Sequence, residues 1–334
     1  MKGENTQEQP ITTETRETRC PPALEFVDYP HPLNDEEIVA YFLSQAKYAK
    51  EKKDYMRKLF DIAFCSFFTQ EETNRLREAA KSEDTKFVEE MIVEKLRQER
   101  EFARKQTDEL KEFFTVAYSK LVSGLGIRER PIKFAVWPEI ELHAVKMTTG
   151  HYQGGHIGRY DSRLGLAYVL TNTIRDICEP ENPLVICGDI TPADYKRTAV
   201  HEVIHGLSHR GENVGLVRDE PSQEHKGQIF WPLNEAVTEQ LTEEFFGAHY
   251  PGEVHIYNKE YVRDRVLVQA VGDVIGQERL RELFFTENGD LLLLEELRKN
   301  YRGSAPITSE AISLAMRSGG RLSVEELAKV LRGD

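Results

Sequence analysis

The sequence predicts an α+β fold, in which a strand-forming segment lies between two helical regions. Residues 33–123 contain no glycine or proline and repeat their apolar side chains at helical spacing. β-Branched and aromatic residues concentrate between residues 132 and 174, in runs that are typical of strands. Helical spacing returns after Pro251 and continues to the end of the chain. With 334 residues, the chain is long enough for about two domains.

The first two predicted segments are a tail and a helical region. Residues 1–33 are polar and rich in Thr, Glu and Pro, so we expect a disordered tail. Residues 34–126 form a predicted region of three or four helices, and Asn34 and Glu37 have the spacing of a capping box. The mixed charges of this region are typical of solvated helix faces. The alternative is a coiled coil or an arm that binds another protein, which is less favoured because no heptad repeat is sustained.

Residues 127–250 contain the strand-forming runs, and residues 251–334 form a predicted C-terminal helical subdomain. The glycines and turn residues of 150–165 favour a hairpin or turns rather than a phosphate-binding loop, since no Gly-Lys-Ser/Thr follows. The predicted strands are residues 133–147, 164–174 and 183–189.

Two helices are predicted in the same segment. The first covers residues 191–211, with Thr191 as its N-cap, Pro192 at its first position and Gly211 as its end. The second covers residues 232–246 and is expected to end at Gly247.

Composition excludes several classes of protein. The chain has 44 Lys and Arg against 57 Asp and Glu, a net charge of −13, which argues against nucleic acid as a partner. No apolar run approaches the ~18 residues that span a membrane, and the first residues lack the apolar core of a secretory signal. The 4 cysteines form no Cys-x-x-Cys pair. We therefore expect a cytoplasmic protein without a membrane partner, and non-classical secretion stays open.

The most informative residues are His201, Glu202 and His205, in the order His-Glu-Val-Ile-His. Positions i and i+4 lie on one face of a helix, so both imidazoles can reach one metal ion while Glu202 stays close to a metal-bound water. This HExxH pattern is typical of zinc hydrolases, although a chance occurrence in a chain with this many histidines has odds of roughly one in a hundred. The alternative is two helix histidines, one of them paired with Glu202.

A catalytic zinc ion needs a third protein ligand. His209 is excluded because it lies ~12 Å along the helix axis from His201. Glu235 is the better candidate, since it lies on the next amphipathic helix. Glu239, one turn later, can accept a hydrogen bond from the free ring N–H of a histidine ligand. Taken alone, these two carboxylates would be interpreted as exposed helix residues.

Together, His-Glu-Val-Ile-His and the later Asn-Glu-Ala-Val-Thr-Glu resemble the gluzincin branch of the zincin metallopeptidases, the group that includes thermolysin. The resemblance covers about residues 127–250, and it departs from thermolysin in having Glu at position 239 and a longer separation between the motifs. It implies a zincin-like catalytic core, a small twisted sheet plus an active-site helix, flanked by the two helical regions.

The resemblance also implies a function and a set of roles. One Zn²⁺ ion would be bound by His201, His205 and Glu235, with Glu202 as the general base and Glu239 supporting a histidine ligand. The expected activity is hydrolysis of peptide bonds in a peptide or protein substrate. Substrate backbone would pair with an edge strand, for which residues 164–170 are the candidate.

A donor to the oxyanion is also required, and gluzincins often use a downstream Tyr or His. Tyr257 and Tyr261 are the candidates here, followed by His255, and packing in the core is the alternative for either tyrosine. Cys187 could be a ligand of a peptide-deformylase-like site, but its sequence context favours a buried strand residue. Two rival classes remain: a non-catalytic zinc-binding protein, and an interaction protein that works through its helical region 34–126.

Overall fold

The computed structural model describes most of the chain between Leu24 and Asp334. The described residues are 24–29, 31, 33–51, 68, 70–82, 84–149, 158–171, 192–218, 229–252, 258–317 and 321–334. Helices and two small sheets alternate along this part of the chain, so the predicted α+β class is confirmed.

The N-terminal helices are held by local caps and by one long helix. Asn34 and Glu37 exchange the two hydrogen bonds of a capping box, at 2.8 and 2.9 Å. The longest helix begins after Asp84, whose side chain accepts from the Phe87 amide, and ends at Gly126, which has a φ of 68°. The helices of this region are α1 Asp35–Glu51, α2 Gln70–Ser82 and α3 Thr85–Leu125.

The main sheet has four strands in the order β1-β2-β4-β3. Strands β1, β2 and β4 are parallel, and β3 pairs antiparallel with β4. Because side chains alternate along a strand, Phe134 and Val136 enter the main apolar core while Trp137 lies on the opposite face. The strands are β1 Leu24–Phe26, β2 Ile132–Trp137, β3 Gly158–Asp161 and β4 Leu166–Leu170.

Three sequence-based expectations about this sheet need correction. Residues 24–26 belong to the predicted disordered tail, but they pair with β2, a long-range contact that composition does not encode. The hairpin of 150–165 is realised in part, as the turn at Gly165 between β3 and β4. Strand β4 is interior, so β3 rather than residues 164–170 is an edge of the described sheet. The strand predicted at 183–189 lies outside the described residues.

The strand predicted at 133–147 is wrong after Trp137, where the chain forms helix α4 Glu139–Thr149. The Thr171 hydroxyl accepts from the Glu139 amide at 2.9 Å, and the Glu99 carboxylate accepts from the Ile140 amide at 3.2 Å. These bonds satisfy amides that a helix N-terminus leaves unpaired. Tertiary capping therefore overrides the strand preference of these residues.

Two helices and a small three-stranded sheet follow. The first, α5 Pro192–Ser208, ends before the predicted stop; Gly211, with a φ of 56°, instead forms the turn between the first two short strands. The second, α6 Trp231–His249, continues through Gly247, where no neighbouring atom would meet a side chain, and ends at Tyr250. The short strands are β5 His209–Arg210, β6 Asn213–Val214 and β7 Val217–Arg218.

The described residues after Pro251 form five further helices, as the returning helical spacing predicts. One apolar cluster combines side chains of α3, the main sheet, α5, α6 and these helices. Of the helices described here, none combines the length and the apolar character needed to cross a lipid bilayer. The five helices are α7 Asn258–Ile275, α8 Gln277–Phe284, α9 Gly289–Asn300, α10 Ser309–Arg317 and α11 Val324–Arg332.

Candidate metal centre

Helix α5 is fixed by a fully buried apolar face, and this determines where its polar side chains point. The buried residues of that face are Ala199, Val200, Val203, Ile204 and Leu207, each 0% exposed. The two histidines of the HExxH pattern then lie towards α6 and are themselves buried. The site is therefore assembled between two packed helices.

Three side chains of these helices converge. Nε2 of His201 lies 3.1 Å from Nε2 of His205. The Glu235 carboxylate, on α6, lies 3.4 Å from the first nitrogen and 3.5 Å from the second. Within the described part of the chain, these three residues form the group that could hold a metal ion. The structure thus brings together the three predicted ligands.

On the side of the ring opposite Nε2, the Nδ1 atom of each imidazole faces a different residue of α6. Nδ1 of His201 lies 3.2 Å from a carboxylate oxygen of Glu239, as the sequence predicts. Nδ1 of His205 lies 3.5 Å from the hydroxyl of Thr238, which donates its own proton to the Asn234 carbonyl at 2.9 Å. Both Nδ1 atoms can therefore donate, and both Nε2 atoms keep a lone pair for a metal ion.

Thr238 was missed by the sequence reasoning, although a signal for it exists. It follows Glu235 by three positions, so it lies on the same helix face as the ligand and the supporting Glu239. This i+3 spacing from Glu235 is the sequence signal that indicates Thr238.

Thr238→Val should weaken zinc binding several-fold, because the variant cannot accept the hydrogen bond that orients His205. Thr242→Val is the matched control: Thr242 is also fully buried on α6 and donates to the Thr238 carbonyl at 2.8 Å, one turn farther from the histidines. Competition titration against a chelator measures both dissociation constants. Equal zinc affinity in the two variants would contradict an orienting role for Thr238.

Glu202 lies beneath the edge strand β3. The approach is close: a Cβ on Gly158 would lie 3.0 Å from Cγ of Glu202. The carboxylate is buried and accepts a backbone hydrogen bond from Tyr160. Burial raises the pKa of Glu202 to about 8, against the opposing charge of His205. The buried setting of Glu202 therefore disfavours its charged form.

The three convergent side chains differ in their protonation behaviour. Burial lowers the pKa of His201. Burial also disfavours the His205 cation, but the nearby carboxylates of Glu235 and Glu202 outweigh this and raise the pKa of His205. Burial opposes ionisation of Glu235 too, yet the two imidazoles lower the pKa of its carboxyl well below the usual range. The site thus favours an ionised Glu235.

A second residue that sequence reasoning missed is Arg197. This arginine lies one turn before His201 on α5, and its side chain is buried. It forms ion pairs with Glu239 and, at 3.2 Å, with Glu243. The sequence signal for it was the i, i+4 spacing from Arg197 to His201.

Asn234 has a structural role beside the site. Its side-chain carbonyl accepts from the Leu216 amide at 2.8 Å, which ties the β6–β7 turn to the start of α6. Gly215, with a φ of 62°, is required there because a Cβ would lie 2.2 Å from the same oxygen.

The remaining sequence candidates lie elsewhere or outside the described residues. His209 is the first residue of β5, with its Nδ1 2.8 Å from the Tyr160 hydroxyl, and it is not part of the convergent group. Tyr261 belongs to α7, but its side chain is outside the described atoms. Tyr257, His255 and Cys187 lie outside the described residues.

Comparison of the chain with protein-family models, with curated proteins and with solved structures found no match.

Proposed function

We propose that this chain is a zinc-dependent metallopeptidase of the gluzincin type, which hydrolyses peptide bonds with Glu202 as general base. The observation that carries the proposal is the convergence of three side chains. The two Nε2 atoms lie 3.1 Å apart, and the Glu235 carboxylate approaches Nε2 of His201 through Oε2 at 3.4 Å and Nε2 of His205 through Oε1 at 3.5 Å. Tetrahedral ligands with bonds of about 2.0–2.1 Å to zinc lie about 3.3 Å from one another. The side chains are thus separated as ligands of one ion would be.

The chemistry of the donor set favours zinc. Two imidazoles and one carboxylate are the protein ligands of many catalytic zinc sites, which keep a further position for water or substrate. The side chain of Glu235 is 20% exposed, whereas those of the two histidines are 8–9% exposed. The open side of the site therefore lies next to the carboxylate ligand. This asymmetry favours a catalytic site over a closed structural one.

In the proposed mechanism, residues of the chain transfer the proton and orient the two imidazoles. A zinc ion at this position would supply Lewis-acid polarisation and a more acidic water. Glu202 takes a proton from the attacking water and later delivers it to the leaving amine. Glu239 and Thr238 hold the two imidazoles in the tautomer that presents Nε2.

Strand β3 is the proposed guide for the substrate backbone. It is an edge of the described sheet, and it lies directly against Glu202 through Gly158. An extended peptide can add to such an edge through main-chain hydrogen bonds. The scissile bond would then pass close to the general base. Residues 164–170, the candidate from the sequence, cannot take this role because they form the turn at Gly165 and the interior strand β4.

The oxyanion donor remains a prediction. Tyr257→Phe or Tyr261→Phe should lower kcat about 10²-fold and leave zinc affinity nearly unchanged, because loss of one donor weakens only transition-state binding. Steady-state kinetics and zinc titration of both variants provide the measurement. An unchanged kcat in both proteins would exclude the tyrosines and direct attention to His255, or to His225, which lies in the sequence between the two predicted metal-binding helices.

The proposed function is tested with the purified full chain. Atomic spectroscopy gives the zinc content, and a peptide library followed by mass spectrometry reports cleavage with and without chelator. We expect one zinc ion per chain and cleavage that chelation abolishes and added zinc restores. Bound zinc without cleavage would favour the non-catalytic zinc-binding alternative. A chain that binds no zinc would favour a protein that interacts through residues 34–126.

A further inference from the structure

A chain of ion pairs connects the C-terminal helices with the metal centre. Arg265, on α7, pairs with Glu243 on α6, and Glu243 lies 3.2 Å from the guanidinium of Arg197 on α5. Arg197 in turn pairs with Glu239, whose other oxygen lies 3.2 Å from Nδ1 of His201. The series therefore ends on a predicted zinc ligand.

We propose that Arg197 is a positioning residue of the metal centre, which acts through Glu239. The inference rests on the proposed zinc site and adds a residue to it. Arg197 engages one oxygen of Glu239, Oε1, and so leaves Oε2 directed at the imidazole of His201. Without the guanidinium, this carboxylate could rotate away from the ring. The orientation of His201 would then be less well determined.

Burial and spacing distinguish this arrangement from an ordinary surface ion pair. Arg197 and Glu239 are 5% and 4% exposed, so both groups have lost most of their hydration. Buried ion pairs are costly to desolvate and are weak evidence for a contribution to stability. Here the pair lies one helical turn from His201. A role in orienting the ligand gives this buried pair a function other than stability.

The helices also explain why arginine suits this position. Its guanidinium offers several N–H donors in a fixed plane, so it can pair with Glu239 and Glu243 together. These two carboxylates lie four residues apart on α6 and thus present one acceptor surface towards α5. Lysine would bring a single ammonium and would orient the carboxylates less well. Arg265 supports the outer carboxylate from a third helix.

The test is a double-mutant cycle on the zinc dissociation constant of the full chain. Arg197→Met and Glu239→Ala should each weaken zinc binding by about 10–100-fold, as for other residues that support metal ligands. If Arg197 acts through Glu239, the double variant should bind zinc no more weakly than Glu239→Ala alone. Arg197→Lys should recover part of the affinity. Independent effects that multiply in the double variant would overturn the proposal.

Arg100→Met is the matched control. Arg100 also bridges two carboxylates, Asp35 and Glu141, but it lies among the N-terminal helices and the loop after β1. Its loss should leave zinc affinity unchanged, and a fall as large as that of Arg197→Met would overturn the proposal. Circular dichroism establishes that each variant is folded. If Arg197→Met does not fold, Arg197→Lys replaces it in the same cycle.

The outcomes separate this inference from the proposed function. A parent chain that binds no zinc refutes the metal site and the role of Arg197 together. A parent that binds zinc, with an Arg197→Met variant that binds equally well, refutes the role of Arg197 alone and leaves the peptidase proposal intact.

Discussion

Glu202→Gln should bind zinc as the parent chain does and hydrolyse peptides at least about 10²-fold more slowly. Glutamine preserves the size of the side chain beneath β3, where Gly158 approaches Cγ closely, so the local packing is retained. An amide cannot accept the proton of the attacking water. The substitution therefore removes the base and leaves the three ligands in place.

Steady-state hydrolysis of a library-derived peptide and zinc content by atomic spectroscopy test this result. Glu244→Gln provides the control, because it makes the same chemical change at an exposed position of α6, where Glu244 pairs with Arg281. The control should retain full activity. Peptide cleavage by the Glu202→Gln variant at the parental rate would show that another group serves as the base.

Glu235→Ala should lose zinc. The two imidazoles alone leave the ion with two protein ligands, and the variant lacks the carboxylate that lies within 3.5 Å of both ring nitrogens. His209→Ala is the control, since His209 lies in β5, against Tyr160, and outside the group of convergent ligands. Zinc titration should show parental affinity for the control. A Glu235→Ala protein that purified with one equivalent of zinc would exclude the gluzincin assignment.

How much of the site is predictable depends on sequence distance. The spacing of His201 and His205 is a local property of one helix, so the pattern alone places both rings on one face. Glu235 lies on a different helix, and its approach depends on how α6 packs against α5. The amphipathic pattern and the family resemblance together singled it out. Arg197 and Thr238 have the helical spacing of residues near the ligands, but their contacts depend on that packing.

The fold likewise combines features that local spacing predicts with features that depend on distant residues. The α+β class follows from local spacing, and it is confirmed. Helix α4 could not be predicted, because its N-terminus is capped by Glu99 and Thr171, which lie 41 and 32 residues from the amides they bind. Strand β1 was missed for the same reason, since its only signal is a partner strand more than a hundred residues away.

Helix α6 carries four of the polar groups of the candidate metal centre in little more than two turns, and this restricts how the chain can vary. Successive residues of a helix are rotated by about 100°, so one inserted residue after Glu235 would turn the groups that follow away from α5. Changes of length are in general tolerated better in the connections between elements than inside a helix. Related chains with the same chemistry should therefore keep the spacing within α6. The four groups are Glu235, Thr238, Glu239 and Glu243.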